Sequence, residues 1–292
     1  MKNTPFIAVT SQPVPYHADT TAIFNTLCQQ NSNSLLLDSA EIGSKNSLQS
    51  LILINAAVKI TCLGNQVTFR ALNANGKQVL NEIHPVLSQL GTVSAVNFDD
   101  EFSVQFAPLD NQLDEDSKLQ AATIFDGLRV ISNHYQHSST PVFLGGLFAY
   151  DLVANFIPMQ GVELKDDGIN CPDYSFYLAE NLITIDHQSQ QATLKSFCFS
   201  QEEQVEVAKT ALSIAQKLKN IDGVFSIKAA SDEVNTNFED PEFIGIVKAL
   251  KHHINIGDVF QIVPSRRFSL ACPNTIASYA QLKHNNPSPY MF

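Results

Sequence analysis

The residues of this chain that could carry chemistry are few and lie far apart. Asp38-Ser39 closes the apolar run Leu35-Leu36-Leu37, offering a carboxylate to accept from an ammonium group and a hydroxyl to donate to a carboxylate. At the other end, Pro289-Tyr290-Met291 is a stiff, extended segment with a flat ring and a soft thioether, suited to covering an aromatic ligand. A plainer reading makes Ser39 a turn residue and Tyr290-Met291 part of a core, and the residues by themselves favour it. His252-His253 are adjacent; on a helix they point roughly 100° apart and cannot share a metal, so a solvent-facing place near a helix C-terminus explains them. Asp166-Asp167 sit in a polar loop, and Tyr150-Asp151 reads as a structural hydrogen-bonding pair beside an apolar strand. Gly145-Gly146 lies inside a strand pattern and implies a bulge or a close backbone approach. The GxGxxG, Walker, GxSxG and HExxH spacings are missing, and no catalytic constellation emerges.

Composition narrows the class. The chain has 292 residues, 44% hydrophobic and 16% charged, enough apolar content for a core and a length that favours two domains. A net charge of −11 argues against nucleic-acid binding, which needs clustered Lys and Arg; only Arg266-Arg267 are adjacent. No run approaches a membrane span, and Met1-Lys2-Asn3-Thr4-Pro5 does not open a secretory signal. Five scattered cysteines (Cys28, Cys62, Cys171, Cys198, Cys272) form no CxxC pair. They point to a reduced, cytoplasmic setting without metal or disulfide use. Trp is absent beside 19 Phe.

These residues must be positioned by mixed elements. Asp19 precedes an amphipathic helix carrying Ile23, Phe24, Leu27 and Cys28. Strands at Val58–Leu63 and Gln66–Leu72 flank the hairpin signal Gly64-Asn65, and Asn75-Gly76 suggests a further turn. A helix with Ile124, Phe125, Leu128 and Ile131 in register follows an acidic, loop-rich stretch. Phe176–Asp186 and Ala192–Phe199 form a second hairpin around Gln188-Ser189-Gln190. Ser200 and Glu203 have the spacing of a capping box for a helix through Leu218. Residues 219–238 lose periodicity and read as a linker. Asp240 then caps a helix started by Pro241, Gly257 closes it, and a strand carrying Phe260, Ile262 and Phe268 begins. Strands and helices mix without strict alternation, which predicts an α+β fold with largely antiparallel sheets and packed helices. Ending on Tyr290-Met291-Phe292 after a double-proline turn, the chain reads as cut within an element.

Taken together, several motifs carry a resemblance. Gly257-Asp258-Val259-Phe260-Gln261-Ile262-Val263-Pro264-Ser265-Arg266-Arg267-Phe268-Ser269-Leu270 and Asn286-Pro287-Ser288-Pro289-Tyr290-Met291-Phe292 are two of them. Upstream, in the same order, come Leu35–Ala40, Gly145–Val153, and Cys171-Pro172-Asp173-Tyr174 leading to Ile185-Asp186-His187. The chain thereby resembles the large-subunit (component I) family of anthranilate synthases over nearly all of its length.

The resemblance implies an N-terminal regulatory domain over residues 1–218, a linker over 219–238, and the start of a chorismate-binding catalytic domain over 239–292. It implies a lyase of tryptophan biosynthesis that converts chorismate and ammonia to anthranilate and pyruvate. The ammonia comes from glutamine through a component II amidotransferase partner, in a heterotetramer. Mg²⁺ is the implied metal, held with the substrate by motifs downstream of Phe292, so no catalytic or metal-binding residue is assigned here. The family's allosteric L-tryptophan site does map onto this chain, at Ser39, Pro289, Tyr290 and Met291, and reverses the plainer reading of those residues. Asp38 stands where relatives often have Glu, and Gln49 where some have Lys; both departures bear on affinity. The two halves of the site are expected in different domains. Rival readings are another chorismate-using enzyme, such as an aminodeoxychorismate or isochorismate synthase, and a non-catalytic tryptophan-binding module.

Overall fold

The computed structural model describes residues 5–29, 31–39, 48–97, 100–108, 113–157, 171–221, 223 and 233–292. Its contacts divide the chain into two units, one of residues 1–223 with 287–292 and one of residues 224–286.

The first unit opens with β1 (Ala8–Val14), α1 (Thr20–Cys28), β2 (Leu35–Leu37), β3 (Gln49–Leu63) and β4 (Gln66–Ala71). Next come α2 (Ala74–Leu87), β5 (Thr92–Asn97), β6 (Glu101–Gln105), α3 (Glu115–Gln120) and α4 (Asp126–His134). β7 (Leu144–Phe148), a 3-10 turn over Tyr150–Asn155, β8 (Tyr174–Asp186), β9 (Gln191–Cys198) and α5 (Gln204–Lys217) follow. The strands form one antiparallel sheet in the order β1-β9-β8-β3-β4-β6-β5, with β2 also on β3 and β7 also on β8. This is the expected α+β architecture, antiparallel with packed helices.

Two long strands organise it. β3 and β8 run together from Gln49↔Asp186 to Cys62↔Tyr174, with register shifts between Leu53 and Val58. Their length lets each serve two neighbours on its outer edge: β3 takes β2 at Leu51–Leu53 and β4 at Val58–Leu63. Likewise β8 takes β9 at Asn181–Asp186 and β7 at Tyr174–Leu178. A bulged strand bends and twists more strongly, which lets one sheet curl round its own core. α2 covers β3 and β4 and meets α4, while α1 lies on β3 and α5 on β9. The core includes Ile60, Phe69, Val79, Ile83, Phe102, Tyr174 and Leu178, all fully buried or within 1% of it. Phe69 and Phe102 stack with ring centroids 5.1 Å apart.

Local chemistry explains the boundaries. The Asp19 carboxylate accepts from the Ala22 N–H at 3.0 Å and caps α1. Gly64, at φ +57°, supplies the left-handed position of the β3–β4 turn. Between β8 and β9, Asp186 accepts from the Gln188 and Ser189 N–H groups at 2.9 and 3.0 Å, pinning the turn. Gly146 fulfils the expected close approach: a Cβ there would lie 2.2 Å from the Ser175 carbonyl oxygen.

The second unit holds β10 (Asn235–Thr236), α6 (Asp240–Asn255), β11 (Phe268–Ser269) and α7 (Thr275–Asn285), with β10 antiparallel to β11. Four expectations are corrected. Asn75-Gly76 is the first turn of α2, capped by Asn73, whose side chain accepts from the Gly76 N–H. The cap of α6 is Glu239, forming a reciprocal box with Glu242, and Asp240 is the first helical residue. The strand expected from Phe260 is confined to Phe268–Ser269, because residues 259–267 make no ladder and Phe260 is fully exposed. Similarly, α5 begins only at Gln204, and Ser200 turns back on the Glu202 N–H instead of boxing with Glu203. Among the described residues, no helix is long and apolar enough to cross a membrane.

Candidate functional site at the Asp38–Met291 bridge

The two terminal motifs meet on one edge of the sheet. Asp38 continues β2 and forms an antiparallel bridge with Met291. The Asp38 N–H donates to the Met291 carbonyl at 2.8 Å, and the Met291 N–H donates to the Asp38 carbonyl at 2.9 Å. Pro289 and Tyr290 form a bend instead of the expected extended segment, and the chain pairs with β2 only at Met291. Residues 287–292 thus belong to the first unit. Both halves of the expected site lie in one unit, not in two.

Strand alternation sorts the side chains. Leu36 and Asp38, two apart, both face inward at 7% and 4% exposure. Directly paired residues share a face, and Met291 is likewise buried, at 8%. The neighbouring residues take the other face: Ser39 is half-buried and Tyr290 88% exposed. Pro289 is exposed as well. The bridge therefore sets a carboxylate and a thioether behind, with a hydroxyl and an aromatic ring on the outer side. Gln49, at the start of β3, is exposed.

Burying the Asp38 carboxylate demands donors. Thr20, the first residue of α1, donates its hydroxyl to Oδ2 at 2.8 Å. Ser50 donates to Oδ1 at 2.5 Å, and the Ser39 N–H reaches the same oxygen at 3.1 Å. The Ser50 Oγ also lies 2.9 Å from His187 Nε2, whose Nδ1 is 3.2 Å from the Tyr16 hydroxyl. Thr20, Ser50, His187 and Tyr16 were not singled out as site residues from sequence. Only His187 carried a signal, as the end of the Ile185-Asp186-His187 motif.

Tyr150 is 93% exposed. His252 and His253 are exposed near the C-terminus of α6, with His253 Nδ1 2.7 Å from an Asp258 oxygen. Asp166-Asp167 lie outside the described residues. Burial pushes the Cys28 and Cys62 thiols up to about 12, so both are packing residues and not nucleophiles. Among the described residues, no group of three or more His, Cys, Asp or Glu could hold a metal ion.

Known proteins agree with the motifs. The family model for chorismate binding enzymes matches residues 80–292. Anthranilate synthase component 1 of Haemophilus influenzae is 87% identical over 98% of this chain and 55% of its own length. The Vibrio cholerae protein of the same name is 43% identical over the whole chain and 56% of its own length. The chain thus spans about half the length of these relatives. In structure, anthranilate synthase component I from Streptococcus pneumoniae superposes with a TM-score of 0.52 at 17% identity, covering 86% of this chain and 48% of that one. The fold likeness and the sequence match lead to one assignment: the chain belongs to the chorismate binding enzyme family.

Proposed function

We propose that this chain carries the L-tryptophan site of an anthranilate synthase large subunit, with Ser39, Pro289, Tyr290 and Met291 as its ligand contacts. The observation that supports it most is the Asp38–Met291 bridge, which joins two motifs 253 positions apart into one surface. The Ser39 hydroxyl suits the ligand carboxylate, the Asp38 anion its ammonium group, and the Pro289-Tyr290-Met291 segment its indole. The segment 287–292 directly follows α7 in the chain, so ligand bound there can bias the element that leads into it.

In this reading the whole protein is a cytoplasmic lyase. Ammonia, delivered from glutamine by a component II partner in a heterotetramer, adds to chorismate as hydroxide leaves. The enolpyruvyl group is then eliminated as pyruvate. Mg²⁺ would be held by residues outside 1–292, and none of these steps is assigned to a residue of this chain. Residues 1–292 by themselves bind the inhibitor and do not turn over chorismate.

Calorimetry of residues 1–292 with L-tryptophan tests the site. Ser39→Ala removes a hydrogen bond to a charged group, a loss of about 1.5–3 kcal/mol or roughly ten- to a hundredfold in Kd. Tyr290→Ala should weaken binding similarly. In a protein spanning the relatives' full length, both changes should relieve inhibition and spare most anthranilate formation. Unchanged affinity in both variants would defeat the assignment. Anthranilate formation by residues 1–292 alone would show that catalytic groups lie in this chain.

A further inference from the structure

The carboxylate of Asp38 is held through a chain of side chains drawn from four places in the first unit. Tyr16 follows β1, Thr20 begins α1, Ser50 is the second residue of β3, and His187 follows β8. His187 is itself preset: its N–H donates to the Leu48 carbonyl at 3.0 Å, beside the Gln49↔Asp186 pair that starts the β3–β8 ladder. The imidazole therefore stands next to Ser50 as a consequence of strand register.

Donor counting fixes the proton on one ring nitrogen. Ser50 has one hydroxyl proton and gives it to Asp38 Oδ1. Toward His187 its oxygen can only accept, so His187 carries a proton on Nε2. Nδ1 lies 3.2 Å from the Tyr16 hydroxyl. The result is a directed chain from His187 through Ser50 to Asp38, with Tyr16 at the far ring nitrogen, while Thr20 donates to the other carboxylate oxygen. Both oxygens are gripped, so the carboxylate plane cannot turn freely.

We propose that His187 is a positioning residue for the amino-acid site: through Ser50 it fixes the Asp38 carboxylate in the orientation that receives the ammonium group of the ligand. The proposal rests on the tryptophan reading above. It places the discrimination between an α-amino acid and an indole acid without an amine at the Asp38 end of the network, with His187 set behind it.

The test uses residues 1–292 with two probes, L-tryptophan and indole-3-propionate, which lacks the ammonium group. In His187→Ala the tryptophan Kd should rise roughly tenfold, while that of indole-3-propionate should stay within about twofold. His187→Gln, whose amide N–H can donate to Ser50, should return the tryptophan Kd to within about threefold of the parent. Tyr16→Phe, which removes only the hydroxyl on Nδ1, should give a smaller loss confined to tryptophan, and it serves if His187→Ala does not fold. The proposal is overturned if tryptophan binding is unchanged in the histidine and tyrosine variants, or if both probes weaken equally, which is the signature of general unfolding of the site. A parent chain that fails to bind tryptophan would instead remove the functional reading on which the proposal stands.

Discussion

Ionisation of Glu180 opposes the fold. The residue is 6% exposed in the middle of β8 and accepts from the side-chain amides of Asn73 and Asn75, each at 2.9 Å. Asn75 also donates to the Phe197 carbonyl and accepts from the Phe199 N–H, so the network ties α2 to the end of β9. Burial raises the Glu180 pKa above the ordinary carboxylate value, the two amides pull it back, and Glu203 adds to the rise. The folded state thus holds this proton more tightly than the unfolded chain does. Its contribution is fully present below the unfolded carboxylate pKa and is lost as pH rises through the folded one. Glu180→Gln keeps an oxygen for both amides and never ionises. Its Tm should exceed that of the parent at pH 7–8, with the gap closing as pH falls toward the ordinary carboxylate range; a constant gap in calorimetric scans would refute the charge argument. Glu180→Ala deprives both amides of this acceptor and should cost about 1–3 kcal/mol.

At the scale of elements, two helical glycines make opposite demands. A Cβ on Gly76 would sit 1.9 Å from the Ala57 carbonyl oxygen, because α2 packs its first turn directly on β3. Backbone cannot yield cheaply, so Gly76→Ala should destabilise the first unit by about 1–3 kcal/mol or more in denaturant unfolding. Gly245 lies inside α6 with nothing within 4 Å of its Cβ position. Gly245→Ala should therefore stabilise that helix by roughly 0.4–1 kcal/mol, read as slower amide exchange along α6. The same contrast shows what was legible in sequence. Asn75-Gly76 has the composition of a turn, and only the packing of α2 against Ala57 reveals why Gly is needed there. The hairpins around Gly64-Asn65 and Gln188-Ser189-Gln190 were readable because short-range chemistry sets them. Asp38 was readable as a polar stop to an apolar run. Its partners were not, because Ser50 and His187 meet through the register of β3 with β8 and Thr20 arrives from the start of α1. The strand expected from Phe260 failed for the converse reason: apolar residues without a paired neighbour do not make a ladder.

Across the whole molecule, protection should follow the uneven distribution of buried apolar side chains. The first unit has a continuous core from β3, β4, β8, β9 and the helices on them. In the second, α6 buries no residue and α7 buries only Ala277, while Phe260, Val263, Phe268 and Leu270 are exposed. Few buried apolar contacts mean a small free energy of local opening. Amide exchange should therefore be slowest in β3 and β8, at rates set by global unfolding, and much faster throughout α6 and α7. The bridge is a second expectation within that pattern. The Asp38 and Met291 N–H groups each have a backbone partner but belong to a single-residue pairing, without the cooperative ladder that protects β3. Saturating L-tryptophan adds stability as RT ln(1 + [L]/Kd), about 2.7 kcal/mol at a hundredfold excess over Kd. If the ligand spans Ser39 and Tyr290, that gain reaches the bridge directly, and the amides of Asp38 and Met291 should slow by up to about a hundredfold. The β3 amides should slow only as far as global stability rises. Protection that appears in α6 while the bridge amides stay unchanged would place the ligand elsewhere.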